Sequence, residues 1–454
     1  MTSQSRAEGS EGRSSQRRAV TRREAWLFWL KLGFIGFGGP AGQIAIMHTE
    51  LVERRRWISE KRFLHALNYC MVLPGPEAQQ LATYLGWLMH RTWGGIVAGA
   101  LFVLPSLLIM IALGWIYVRF NDLPWVGAAL YGIKPAVAAI VVHAAWRIGS
   151  RSIRDAWNLG IAIGAFAVML LLHWPFPAIV AGAALIGFVR GRGPSVSAAV
   201  VPGQVPAARG SVPAVIDDDT PLPPHAKFSR RRFAFVVGAG LLLWAAPMGV
   251  LVAAFGWKAL LTQMSWFFTK AAFLTFGGAY AVLPYVTQAA VVDYGWLTAN
   301  QMMDALALGE TTPGPLIMLV AFVGFVGAYV QSAWGPDSPL QVAMLAAVLV
   351  SWFTFLPSFI FILSGGPFVE STQHAVKLAA PLAAISAAVV GLIINLAVFF
   401  GYQVLWPGGL AAGLDRAAFV LAVLAAIALF RFKWSVGYVV IATGLLGVML
   451  RIAE

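Results

Sequence analysis

Four short stretches carry residues that break a helix, two of them with polar groups alongside, all inside very apolar sequence. They are "FGGP" at Phe37–Pro40, "PGPEAQQ" at Pro74–Gln80, "FGGA" at Phe276–Ala279 and "ETTPGPL" at Glu310–Leu316. Proline lacks an N–H donor and clashes inside a helix, and glycine weakens one. A helix running into such a stretch therefore stops, and a new one starts beyond it. Each restart frees backbone N–H groups and a partial positive charge, which together hold an anion. The glycines also let successive amides fold into an anion-holding nest. Proline near the first helical position followed by glutamate in the first turn suits a helix start at "PGPE". The chemistry expected is anion binding by backbone. In the first copy it falls on Gly38, Gly39, Pro40, Pro74, Gly75 and Pro76, and in the second on Gly277, Gly278, Thr312, Pro313, Gly314 and Pro315. The competing reading is structural, with Gly-Gly permitting close helix packing and Pro-Gly-Pro a kink.

Side chains near the breaks extend the expectation. Lys31 and Lys270 each stand seven residues before the first glycine of a Gly-Gly pair. Lysines at membrane depth are expensive and usually functional, so they are candidates for neutralising a bound anion; snorkelling to the interface is the alternative. Gln79 and Gln80 offer amide donors to an oxyanion. Gln80 and Tyr84 share a helix face, with Glu77 three residues before Gln80 on that side. Glu77 would repel an anion, so it reads as a proton binder or as a cap for free amides. Glu310 is the other candidate for proton coupling. Leu316 replaces Glu77 in the second copy, so the two breaks are not chemically equivalent. Asn395 reads as a helix-to-helix bond, and Asp122, Asp155, Asp293, Arg119 and His173 as loop or interface groups. The sole cysteine, Cys70, excludes an internal disulfide and a cysteine-built metal site, and the seven histidines are scattered. No metal, no cofactor and no enzymatic activity is expected, because no nucleophile lies beside a base.

The elements that position these residues must lie in a membrane. Of 454 residues 59% are hydrophobic and 11% charged, against about 25% charged in an ordinary soluble domain. Runs such as Trp93–Val118, Trp125–Trp146, Phe233–Phe255, Leu340–Leu363 and Leu378–Phe400 reach the roughly 20 residues that cross a bilayer. The N-terminus is polar and basic, with no signal of the cleaved type. The net charge of +13 lies outside the apolar runs. It is read as positive-inside topology and contact with anionic lipid, not as nucleic-acid binding.

The chain also repeats itself at an offset of 239 residues (267 − 28 = 239). "FWLKLGFIGFGG" at Phe28–Gly39 falls on "FFTKAAFLTFGG" at Phe267–Gly278, and Pro74–Gly75–Pro76 falls on Pro313–Gly314–Pro315. From residue 28 to 76 there are 13 identities in 49 ungapped positions, and Pro105–Ser106 is echoed later by Pro357–Ser358. Charge then sets the topology. The six arginines before Trp26, the Arg54–Arg62 cluster, Arg91, the Arg147–Arg154 cluster and the linker all reach the cytoplasm if the broken segments are hairpins. The second copy carries Asp293 and Asp304 where the first has Arg54 and His65, so it should enter from the opposite face. The expected architecture is an all-α polytopic membrane protein of two inverted-topology repeats with broken (hairpin) helices, about 13 membrane segments, namely nine full spans and four hairpins. Its parts are a basic cytoplasmic tail (1–25), a first repeat (26–189), a flexible cytoplasmic linker (190–232), a connecting helix (233–256) and an inverted second repeat (257–454). Up to four helix starts would then converge near a pseudo-twofold axis. Inverted repeats around a midplane site built from broken helices mark secondary transporters.

The motifs "FGGP" (Phe37–Pro40), "PGPEAQQLATYLGW" (Pro74–Trp87), "FLTFGGAYAVLPY" (Phe273–Tyr285) and "ETTPGPL" (Glu310–Leu316) resemble those of the chromate ion transporter family in its long, two-domain bacterial form. The resemblance covers both repeats; the basic N-terminal tail lies outside it. It implies a multi-pass protein of the bacterial plasma (inner) membrane, its N-terminus cytoplasmic, that exports chromate and gives chromate resistance. Sulfate, the isosteric dianion, is the implied competitor. It also implies functional roles for the Gly-Gly and Pro-Gly-Pro segments and for Glu77, Gln79, Gln80 and Glu310. A passive anion channel and a carrier of sulfate or another oxyanion stay open as alternatives, and so does a homo-oligomer.

Overall fold

A chain in hydrocarbon must satisfy its backbone polar groups within each segment, so the apolar runs fold as helices. The computed structural model describes residues 20–121, 123–191, 214–217, 220, 223–276, 278–331, 339–371 and 379–453, and every named element among them is helical. The first half holds α1 (Arg22–Ile35), α2 (Gly39–His48) with a π-helical continuation at Thr49–Arg54, α3 (Glu60–Val72), α4 (Glu77–Phe120) and α5 (Pro124–Ser152). It closes with α6 (Ala156–Ala167), continued by a π-helical turn at Val168–Leu172, and α7 (Phe176–Arg190). Helix α8 (Arg230–Phe255) leads to α9 (Leu260–Leu274), α10 (Ala279–Thr287) with its π-helical Gln288–Asp293, and α11 (Ala299–Thr311). A short turn at Leu316–Met318 opens α12 (Leu319–Val330), followed by α13 (Pro339–Ser371), α14 (Ala379–Leu405), α15 (Arg416–Phe430) and α16 (Val436–Ala453). Helices α4, α5, α8, α13 and α14 are long and apolar enough to cross a membrane, and shorter apolar helices stand at α6, α7, α12, α15 and α16. This is an all-α, multi-pass membrane architecture. Most of the basic tail, most of the linker, Asp122 and Gly277 lie outside the described residues.

Elements 239 residues apart coincide closely. The π-helical turns at Thr49–Arg54 and Gln288–Asp293 match, and so do α3 and α11, each capped by a hydroxyl residue, Ser59 and Thr298. Both halves also fold back at the first break. The Phe28 ring lies 5.6 Å from that of Trp57, and the equivalent Phe267 lies 5.5 Å from Trp296. The chain thus leaves this stretch beside the point where it came in. The second break behaves alike: Met89, far along the first part of α4, lies by Trp57 and Ile58 just before α3. Helix α4 then kinks at His90 and Arg91, which have non-helical backbone, before running on to Phe120.

The halves interlock through their long helices. Helix α5 packs against α15 and α16, α14 packs against α6 and α7, and α5 and α14 pack on each other. Small residues permit this closeness. A Cβ on Gly132 would run into the backbone of Thr443 and Gly447, and one on Gly391 would run into Ala162. The α6–α7 pair closes on itself where Arg190 Nη2 meets Asp155 Oδ2 at 2.6 Å. The hydrogen bond from this guanidinium, helped by the Asn158 amide, holds the Asp155 carboxyl below the usual carboxylate range.

The described part of the linker is tied down rather than loose. Val215 and Ile216 donate backbone N–H groups to the carbonyls of Arg56 and Trp57, at 2.9 and 3.0 Å, and Ser59 donates back to Ile216. Arg62 reaches the carbonyls of Asp217 and Thr220. His225 pairs with the Trp87 carbonyl at 3.0 Å, and His90 pairs with that of Val20 at 2.9 Å. The start of α1, the loop after α2, the α4 kink and the linker residues therefore gather at one end.

Candidate anion site at the helix breaks

The breaks are built from backbone that only glycine adopts easily. Gly38, Gly75, Gly278 and Gly314 have φ of +90°, +126°, +98° and +98°, where another residue would lose about 1–2 kcal/mol. Helix α1 stops at Gly36 and α2 restarts with Pro40 in its first turn. Helix α3 stops at Leu73, and α4 restarts after Pro76 with Glu77 as its first residue. The second half does the same at Thr275–Gly278 and at Thr312–Pro315.

Each Pro-Gly-Pro break is bonded to the other half's first break. Gly75 N donates to the Thr275 carbonyl at 2.7 Å, and Gly314 N donates to the Gly36 carbonyl at 3.0 Å. The two bonds are counterparts, since 36 and 275, like 75 and 314, are 239 apart. The Pro-Ser echoes join in: Gly75 lies against Ser358, and Gly314 against Ser106, so neither glycine has room for a side chain. The first breaks approach one another too, with Pro40 Cγ 3.9 Å from where a Gly278 Cβ would be. All four helix starts are thus brought together.

None of these four starts has a side-chain cap, whereas α3 and α11, which lead into the second breaks, are both capped. Uncapped first-turn N–H groups meeting in one place are a setting for an anion. Helix dipoles favour negative charge there, and low polarity around the site strengthens the attraction.

The side chains divide into those the fold brings to the breaks and those it does not. Gln80 Nε2 donates to the Pro74 carbonyl at 2.7 Å and reaches Ser358 Oγ at 3.4 Å. Gln79 Nε2 donates to Thr83 Oγ1 at 3.0 Å. Both amide donors are engaged within the protein, while both side-chain oxygens are buried without a partner. Glu77 heads α4, half-buried. Thr312 caps the end of α11 and donates to the Gly309 carbonyl at 3.3 Å. Glu310 accepts a hydrogen bond from the Tyr280 hydroxyl just beyond the Gly278 break. Lys31 instead lies exposed on α1, along the face carrying Leu27 and Phe34. Lys270 is half-buried with its ammonium 6.0 Å from the Phe267 ring, and its charge acts on Asp293. Lys31 thus faces outward, and Lys270 stands beside Phe267 and Asp293 of its own hairpin.

Three residues at the site went unsingled in the sequence. Gln43, fully buried on α2, donates from Nε2 to the Gly36 carbonyl at 2.9 Å and to the Gly314 carbonyl at 2.5 Å, stapling the halves together. Its signal was a lone amide in an apolar helix. Arg147 sits with its guanidinium 5.2 Å over the Tyr280 ring, and its charge acts on Glu310. It thus lies close to the Gly278 break, although in sequence it groups with Arg151 and Arg154. Tyr280 connects the two.

The two hairpin pairs are not equally covered. Every residue of α10 is buried, whereas in α2 only Gln43 and Met47 are. Phe37, Gly38 and Ala41 are exposed beside the first break. The first break is therefore the less covered of the two Gly-Gly breaks.

An all-α, multi-pass membrane protein whose interrupted helices meet at its centre belongs to the class of membrane transport proteins. The chromate transporter family profile matches residues 23–188 and 262–448. A chromate transport protein of Pseudomonas aeruginosa is 34% identical over 92% of this chain and 90% of its own length. One from Cupriavidus metallidurans is 29% identical over 82% and 81%, and a probable chromate transport protein of Synechococcus elongatus is 28% identical over 85% and 86%. No solved structure matches the chain. The chain belongs to the chromate transporter family.

Proposed function

We propose that this protein is a secondary active transporter that exports chromate from the cytoplasm across the bacterial inner membrane and so gives chromate resistance. The observation that carries the reading is the reciprocal pairing of breaks, Gly75 with Thr275 and Gly314 with Gly36. Two copies of one hairpin set that meet in this exchanged way are what inverted repeats about a midplane axis produce. The family profile supports the duplication as well, because its two matches begin 239 residues apart (262 − 23 = 239). Substrate sits on the uncapped helix starts, where four sets of backbone N–H groups replace the water around a tetrahedral dianion. Gln43, Gln79 and Gln80 hold the breaks in shape, and Arg147 with Tyr280 supplies positive charge and a hydroxyl nearby. Sulfate has the same shape and charge and competes.

Alternating access follows from the unequal covering of the hairpins. In inverted repeats the two pairs face opposite sides of the membrane, so an open first pair and a closed second pair amount to one gate open and one shut. Rocking of the hairpins against α5 and α14 exchanges the two. Radiolabelled chromate in everted membrane vesicles is the test. An imposed gradient is expected to drive saturable uptake that excess sulfate reduces. Uptake that ignores the gradient, or that excess unlabelled chromate leaves unchanged, sinks the proposal.

A further inference from the structure

A second polar cluster joins the halves away from the breaks. Asp304, on α11 of the second half, is 2% exposed. Its Oδ2 accepts a hydrogen bond from the Tyr117 hydroxyl of α4 at 2.9 Å. Its Oδ1 is buried with no hydrogen-bond partner. Lys134, on α5 of the first half, acts on the carboxylate through space rather than through a hydrogen bond. Leaving a carboxylate oxygen buried and unpartnered is expensive, and an ionisable residue at this depth is functional by default.

The surroundings narrow what the free oxygen can hold. Helix α11 packs against α4, α5, α12, α14, α16, the turn Leu316–Met318 and the π-helical turn Gln288–Asp293, whose Asp293 faces the charge of Lys270. Among the described residues α12 and α14 bring no charged side chain. On α16, Arg451 lies over Tyr131; on α5, Arg147 faces Tyr280; and Glu310 of α11 is bonded to Tyr280. Lys134, through its charge, and Tyr117, through its hydroxyl, are the groups that act on Asp304. A metal cation would want several oxygen ligands and no ammonium beside it. A proton needs one lone pair, and Asp304 Oδ1 has it.

We propose that Asp304 is a proton-binding coupling residue, and that its hydrogen bond from Tyr117 and its attraction to the Lys134 charge hold the second hairpin pair shut. A proton arriving from water bonds to Oδ1, and no other bond is made or broken; Tyr117 keeps its hydroxyl proton and Lys134 its charge. The neutral carboxyl no longer attracts Lys134, so α11 is released from α4 and α5 and its hairpin can move. The symmetry-related position carries His65, so the second half alone carries this carboxylate. The inference rests on the reading of the chain as a gradient-driven chromate transporter.

The test uses the purified full chain in proteoliposomes, with chromate uptake followed by radiolabel and proton movement by a trapped pH dye. For the natural chain, chromate transport is expected to carry protons with it. Asp304→Asn is expected to abolish the chromate-evoked proton movement while still purifying as a monodisperse species. Asp304→Glu is expected to restore it with a displaced pH profile. Asp304→Asn moving protons like the natural chain overturns the proposal. Where Asp304→Asn does not fold, Asp304→Glu decides, and a pH profile identical to that of the natural chain overturns it. Chromate uptake without proton movement in the natural chain defeats the proton site alone. No chromate uptake at all defeats the transporter reading beneath it as well.

Discussion

Replacing Gly75 with alanine isolates what the breaks contribute. Two effects act at that position. Its φ of +126° lies where L-residues lose about 1–2 kcal/mol. Its missing Cβ would also overlap Ser358 Oγ and Gln80 Nε2, and forcing a group into a filled site costs about 1–3 kcal/mol. Together the loss is about 2–5 kcal/mol, a large part of the 5–15 kcal/mol that holds a typical protein folded. The comparison is Gly249→Ala on α8, where a Cβ meets nothing within 4 Å; alanine there should be stabilising, by about 0.5–1 kcal/mol. Thermal unfolding of both variants in detergent, beside chromate uptake in vesicles, reads the difference. Adding Ser358→Gly to Gly75→Ala should recover the part of the steric share that Ser358 causes, and leave the Gln80 overlap and the backbone share. Equal melting temperatures for the Gly75 and Gly249 variants would refute the reasoning, and so would a rescue by Ser358→Gly that is complete.

Three further outcomes follow from particular contacts. Gln43→Leu leaves the Gly314 carbonyl without its side-chain donor and should destabilise the protein by about 1–3 kcal/mol, read as a lower melting temperature with slower chromate uptake. Tyr280→Phe removes the hydroxyl bonded to Glu310 beneath Arg147, so transport kinetics should weaken with little change in melting temperature. Asp155→Asn keeps the cap on α6, whose Asn158 amide bonds to Asp155 at 2.8 Å, and loses only an exposed ion pair worth about 0–1 kcal/mol. Because Arg190 holds this carboxyl low, its contribution is present at neutral pH and is lost only as pH falls through the lowered value. A large effect of Asp155→Asn at pH 7 would contradict the assignment.

Local punctuation makes the helix ends legible in the sequence. Gly38–Gly39–Pro40 and Pro74–Gly75–Pro76 stop helices because the backbone they demand is unavailable to other residues, and α1, α2, α3 and α4 begin and end around them. The side-chain partners were less legible, because they are set by how the halves cross. Nothing in the sequence around Gln43 says that Gly314 will lie against it. Arg147 reads as one more cytoplasmic arginine until α5 carries it over Tyr280. Asp304 likewise reads as a topology charge until Tyr117 is found bonded to it. Lys31 and Lys270 show the same dependence on how the helices are turned. Matched spacing before a Gly-Gly pair suggested an anion contact, but helix rotation turns Lys31 outward and leaves Lys270 beside Phe267. The linker, rich in glycine and proline, reads as flexible, yet Val215 and Ile216 are bonded to Arg56 and Trp57.

The proposed mechanism requires the halves to enter the membrane from opposite faces, so that their hairpin pairs open to opposite sides. Arg56 and Gly295 occupy equivalent positions at the outer ends of the two first hairpins, and both are exposed. Cys70, the sole cysteine and a buried one, can be replaced by alanine to give a silent background for Arg56→Cys and Gly295→Cys. A membrane-impermeant thiol reagent applied to intact cells should label the cysteine at 295 and leave the one at 56 untouched until the cells are permeabilised. Labelling of both from the same side of the membrane would contradict the account.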